Sequence, residues 1–119
     1  MVAMNYLTRQ KETIDIKAGD VIFTAGDAGE VMYGVLAGEV QLVHGGKVLD
    51  TIAEGDIVGE NVMLGQHSYQ HTAIALTDCQ LSVIDRHSFL WMVHETPTFA
   101  TDIMKSMTER VQNIAERLA

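Results

Sequence analysis

The sequence predicts a mainly β domain with α: a body of short antiparallel strands forming a barrel, roll or sandwich, followed by one long helix. Two observations carry this reading. The only proline, Pro97, separates a part where short apolar runs alternate with glycine turns from a tail with no glycine or proline up to Ala119. Within that tail Ala100, Met104, Met107, Val111, Ile114 and Leu118 follow at steps of four, three, four, three and four, the a/d spacing of a helix-to-helix seam.

Taken in order, "TIDIK" alternates Ile14 and Ile16 with polar neighbours, the period of a half-buried strand. "DVIFTAGD" and "VMYGVLAGEVQLV" are rich in β-branched and aromatic residues. "HGG" at His44–Gly46 is a hairpin signal before "KVLDTIA". "TAIAL" and "QLSVID" supply two more strands, so the β-body spans about residues 12–85. The period then changes. Asp85 is placed to cap a short helix over 86–95, with Phe89, Leu90, Met92 and Val93 expected against the body.

Thr96 and Pro97 read as N-cap and first position of the last helix, 97–119. Asp102, Glu109 and Glu116 fall on its far face, and Arg110 and Arg117 flank the seam. Ile103 widens the apolar stripe at its start, which allows packing on its own domain; farther along the stripe narrows to a strict seam. A narrow stripe marks helix pairing rather than a globular face, so a homodimer through Ala100, Met104, Met107, Val111, Ile114 and Leu118 is expected.

A chain of 119 residues with 47% hydrophobic residues is enough for one domain with a core, 1–119. Sixteen carboxylates against eight Lys and Arg give a net charge of −8, a sign that repels nucleic-acid backbones and anionic lipid, so neither partner is expected. Cys79 is the single cysteine, which fits a reducing compartment. "MVAMNYLTRQKE" has no apolar signal region and no apolar run reaches membrane-spanning length, so a cytoplasmic location is the expectation.

The order and spacing of the glycine turns carry more. Gly19-Asp20, Ile22-Phe23, Gly26-Asp27, Met32-Tyr33, Gly38-Glu39-Val40, Gly55-Asp56, Gly59-Glu60 and "VIDRHSF" together resemble the signature of cyclic-nucleotide-binding domains. The likeness runs from about Ile14 to the end of the chain. It implies an eight-stranded antiparallel, jelly-roll-like β-roll with a short N-terminal helix and C-terminal helices, the last one long. The catabolite-activator branch follows its roll with a dimerisation helix, which the heptad fits, and then a helix-turn-helix, which these 119 residues do not contain. Most of the glycines read as turn formers rather than as ligand contacts.

The same resemblance makes Gly55–Leu76, "GDIVGENVMLGQHSYQHTAIAL", a phosphate-binding cassette. Family members use the glutamate after the glycine to accept a bond from the ribose 2′-hydroxyl. Backbone amides hold the cyclic phosphate, and an arginine before Ser/Thr-Ala pairs with it. Gly59, Glu60, Asn61 and Val62 match the first part of the cassette, Thr72 and Ala73 the last. Asn61 stands where an apolar residue is usual. The arginine is replaced by His71, and no lysine or arginine lies between Lys47 and Arg86.

Losing one partner of a buried charged hydrogen bond costs about 2–5 kcal/mol, roughly a thirty- to several-thousand-fold loss of affinity. A histidine of ordinary pKa is about one-quarter protonated at neutral pH, and an adjacent phosphate raises that fraction. Arg110 is a second cation for this site if the long helix lies across its mouth.

The resemblance thus implies a dimeric sensor, not an enzyme, that binds cAMP or cGMP as a regulatory ligand, requires no cofactor and signals to a protein partner. The alternative is a degenerate roll serving as a dimerisation or interaction module, or sensing another effector such as haem, for which His67, His71 and the methionines are the relevant residues. No metal is expected from the spacing of ligand-type residues. His44, His87 and His94 have no carboxylate or nucleophile at catalytic spacing, and Cys79 has no activating partner. Tyr6, Trp91 and the seven methionines read as packing.

Overall fold

The structure, a computed structural model, describes residue 2 and residues 4–119. Eight strands form two four-stranded antiparallel sheets: β1 (Glu12–Ile16), β8 (Cys79–Asp85), β3 (Val31–Ala37) and β6 (Ile57–Val58) in one, and β2 (Val21–Phe23), β7 (Thr72–Ala75), β4 (Val40–His44) and β5 (Lys47–Ile52) in the other. A short helix α1 (Met4–Thr8) precedes them, a 3-10 turn (Glu60–Met63) follows β6, and α2 (Arg86–Glu95) and α3 (Pro97–Leu118) come last. Among the described residues no helix is long and apolar enough to cross a membrane.

The apolar run "VMYGVLAGEVQLV" reads as one β-rich stretch, yet it supplies a strand to each sheet. The break is at Gly38, which takes a φ of 90°. A Cβ there would lie 2.4 Å from the Asp78 carbonyl oxygen, so only glycine lets the chain cross from β3 to β4 at this point. Buried residues from both sheets meet between them: Met32, Val35 and Leu81 from one, Val40, Leu42 and Ala73 from the other. The two-residue Gly45-Gly46 turn then pairs His44 with Lys47, as a hairpin of this length requires.

α2 begins at Asp85, whose carboxylate accepts a hydrogen bond from the Ser88 N–H at 2.8 Å. That bond holds the Asp85 carboxyl below its usual pKa. Phe89 and Met92 are buried and Val93 is partly buried, but Leu90 and Trp91 point outward. The expectation that Leu90 and Trp91 pack is corrected by the 3.6-residue period, which puts them on the face away from Phe89 and Met92. Tyr6 does pack, edge-on to Phe99 at 5.4 Å. Thr96 sits at the N-cap of α3 with Pro97 opening the helix, although the Thr96 side chain makes no capping bond.

α3 lies against the roll through Phe99, Ile103, Ser106 and Arg110, spaced four, three and four. This stripe is offset by one residue from the heptad seam. Of the seam residues, Met107 and Ile114 are partly buried against the core, Ala100 is intermediate, and Met104, Val111 and Leu118 are exposed. Arg110, expected beside the seam, is instead 7% exposed. The reason is polar complementarity: three carboxylates from the roll meet the helix on this side.

Candidate functional site

The turn after β6 is set by Gly59, in the left-handed region with φ 77° and ψ 14°. A Cβ there would lie 3.0 Å from Tyr69 Cε1 and 3.2 Å from Phe23 Cε2. Both rings are fixed: Phe23 and Tyr69 stack with centroids 3.9 Å apart, and the Tyr69 hydroxyl donates to the Val31 carbonyl at 2.6 Å. Burial, with the neighbouring Tyr33, pushes the Tyr69 pKa up to about 12, so this ring stays a neutral donor. Asn61 stands where an apolar residue was expected and ties the cassette loop, its Nδ2 donating to Gln66 Oε1 at 2.7 Å and to the Ser68 carbonyl at 2.8 Å.

Glu60 is buried and receives a hydrogen bond from Arg110 Nη1 through Oε1. The same guanidinium donates through Nη2 to the Ile57 carbonyl. Its Nε lies 3.9 Å from Asp50 Oδ2, and Nη2 lies 4.0 Å from Asp56 Oδ1. Ser106 donates to Asp56, and Asn113 Nδ2 reaches Asp50 Oδ1 at 3.4 Å. α3 is therefore held to the roll by one buried cation, two neutral donors and three carboxylates.

A cavity of about 140 Å³ lies between this latch and the cassette, lined by Phe23, Leu42, Gly59, Glu60, Asn61, Gln70, His71, Met107, Arg110, Val111 and Ile114. Of the cassette residues singled out from the sequence, it brings together Gly59, Glu60, Asn61 and His71. Val62 is buried and faces a separate groove beside Gly29 and Arg86. Thr72 spends its hydroxyl accepting the Ala25 N–H at 3.0 Å, and Ala73 is fully buried in β7. Phe23, Leu42 and Gln70 were not expected as lining residues; nothing in the local sequence distinguishes them from core or loop positions. Met107, Val111 and Ile114, expected only as seam residues, also line it.

Among the described residues, the buried side-chain nitrogen and oxygen atoms without a hydrogen-bond partner are Glu60 Oε2, His71 Nδ1 and Arg110 Nε. All three belong to residues that line this one cavity. Unmet buried polar groups are costly, so Glu60 Oε2 and His71 Nδ1 are the atoms here with bonding capacity to spare, whereas Arg110 Nε lies 3.9 Å from Asp50 Oδ2. The His71 ring meets His44 edge-on, with centroids 5.9 Å apart. Burial, then the nearby His44 and Arg110, lower the His71 pKa, with Glu60 opposing them. Unliganded His71 is thus neutral at neutral pH, less charged than a histidine of ordinary pKa. Among the described residues, no group of three or more His, Cys, Asp or Glu is arranged to hold a metal.

A model of the family "cyclic nucleotide-binding domain" matches residues 13–96. A lysophospholipase NTE1 of Chaetomium globosum is 30% identical over 110 residues, which cover 88% of this chain but 7% of that protein. Among solved structures, the Thermus thermophilus catabolite activator protein superposes with a TM-score of 0.76 at 25% identity, covering 97% of this chain and 55% of that one. A protein from a cyclic-GMP-dependent signalling pathway that regulates bacterial phytopathogenesis superposes with a TM-score of 0.74 at 22% identity, covering 92% of this chain and 91% of the other. At that identity the second likeness concerns the fold alone.

Proposed function

The chain belongs to the cyclic nucleotide-binding domain family, and we propose on that premise that it is a regulatory sensor whose ligand is cAMP or cGMP. The observation that carries this is that Glu60 and His71, which line the cavity beside Gly59, each keep a buried polar atom without a hydrogen-bond partner, Glu60 Oε2 and His71 Nδ1. Glu60 keeps one oxygen on Arg110 and has the other free to accept a ribose hydroxyl, so the ion pair and the ligand bond are compatible. His71 lines the cavity and stands in the sequence where the resemblance places the family arginine. Phe23, Leu42, Met107, Val111 and Ile114 offer apolar walls to a base.

Ligand pockets usually measure about 300–1,000 Å³; this cavity, at about 140 Å³, is too small for a nucleotide while α3 is latched. Because Met107, Arg110, Val111 and Ile114 form its helical wall, admitting a nucleotide requires α3 to shift. Binding then favours the shifted helix, and differential affinity for the two positions is the signal. Fungal relatives carry the matching segment as about 7% of their length; a sensor role for this domain within a larger assembly follows the same logic.

Calorimetry with cAMP and cGMP tests the proposal. Binding by the parent protein, weakened by Glu60→Ala, is the expected result; absence of heat at millimolar ligand of either kind between pH 6 and pH 8 would sink it. A second reading, an association module, is favoured by the exposed stripe Met104, Val111 and Leu118, and a dimer with no ligand response would select it.

A further inference from the structure

An anionic ligand in this cavity meets a field of the wrong sign. Facing it are Glu60 from the 3-10 turn and Arg110 from α3, with Asp50 of β5 and Asp56 of the segment before β6 behind the guanidinium. One fixed cation stands against three carboxylates. Both terminal nitrogens of Arg110 are already committed, to Glu60 and to the Ile57 carbonyl. The remaining lining residue able to become positive is His71, whose Nδ1 is buried without a partner. Its imidazole neighbour, the exposed His44 at the end of β4, sits 5.9 Å away in an edge-on arrangement.

We infer that the cavity takes up its anionic ligand together with one proton, held by His71, in place of a permanent cation. This rests on the ligand reading above and adds to it a pH dependence. Like charges this close repel, so the neighbouring His44 adds to burial in opposing a proton on His71 until an anion is present. In the free protein burial keeps His71 neutral near pH 7. A bound phosphodiester supplies the missing counter-charge and raises its proton affinity. Linkage then dictates the sign: the bound state holds more protons, so affinity rises as pH falls. At most it changes about tenfold per pH unit between the free and bound titration ranges. Such a domain reports its ligand most strongly when the surroundings acidify.

The test is calorimetry with cAMP and cGMP at pH 7.0 in two buffers of different ionisation enthalpy, alongside affinities at pH 6 and pH 8. The expected result is net proton uptake on binding and an affinity at least several-fold higher at pH 6. His71→Gln should abolish the uptake. His71→Arg, which installs a fixed cation, should bind without uptake or pH dependence. His44→Gln should keep the uptake and move the pH dependence upward, since a repelling neighbour is gone. Binding by the parent with no proton uptake, or uptake unchanged in His71→Gln, overturns the inference and leaves the ligand reading standing. Binding by His71→Arg alone overturns it too, since the histidine then fails to supply the charge, and with the parent silent the ligand reading falls for the natural sequence. No binding by the parent or by His71→Arg at any of these pH values overturns both.

Discussion

At the scale of single residues, Arg110 and Glu60 do unequal work. Arg110 serves Glu60, the Ile57 carbonyl, and the Asp50 and Asp56 carboxylates at once, whereas Glu60 is one of three acids around it. Arg110→Met should therefore cost about 3–5 kcal/mol, the usual penalty for stranding buried charge. Glu60→Gln should cost less than half of that, because an acceptor and two carboxylates remain for the guanidinium. Urea denaturation at pH 7 measures both, and equal losses would contradict the geometry. Gly59→Ala adds about 1–2 kcal/mol of left-handed backbone strain and sets a methyl 3.0 Å from Tyr69. Its thermal midpoint should fall, and a midpoint unchanged from the parent would count against a tight cassette turn. Gly59, Glu60 and His71, which line one cavity, could be singled out together in the sequence because they lie in one short segment. Arg110 was legible only as a conditional second cation for the site; its bond to Glu60, 50 residues away, was not legible at all.

At the scale of elements, α3 presents two faces that its hydropathy pattern merges. Phe99, Ile103, Ser106 and Arg110 are sealed onto the roll, while Met104, Val111 and Leu118 recur every seven residues on the outside. If that outer row pairs two copies, sedimentation equilibrium should show a dimer. Met104→Glu with Leu118→Glu should then give a folded monomer with an unchanged circular dichroism spectrum. A monomeric parent would remove the pairing. Neither substituted residue lines the cavity, so the change tests association separately from ligand binding. The strands were legible from β-branched and aromatic runs between glycine turns. The division of one apolar run between two sheets at Gly38 was not, because it depends on the Asp78 carbonyl that crosses there.

At the scale of the whole molecule, closure of the site is a property of packing, and its titration follows. Folding lowers the His71 pKa, first through burial. The unfolded chain therefore binds the proton more readily, and this contribution to stability is present above the unfolded value near 6.5 and lost as pH falls through the folded one. Urea midpoints of the parent should decline more steeply below pH 6.5 than those of His71→Gln. Parallel curves from pH 8 to pH 5 would show that His71 is no more buried than an ordinary surface histidine.

The alternation of strands, turns and a closing helix and the family signature were determined by the sequence alone, because each is encoded in local order and spacing. Tertiary structure alone decided which face of α3 is buried and how far the cavity is closed. A hydropathy pattern treats Ser106 and Arg110 as solvated groups. Asp50, Asp56 and Glu60, brought beneath the helix by β5, the segment before β6 and the cassette, supply the partners that let those two polar side chains be buried.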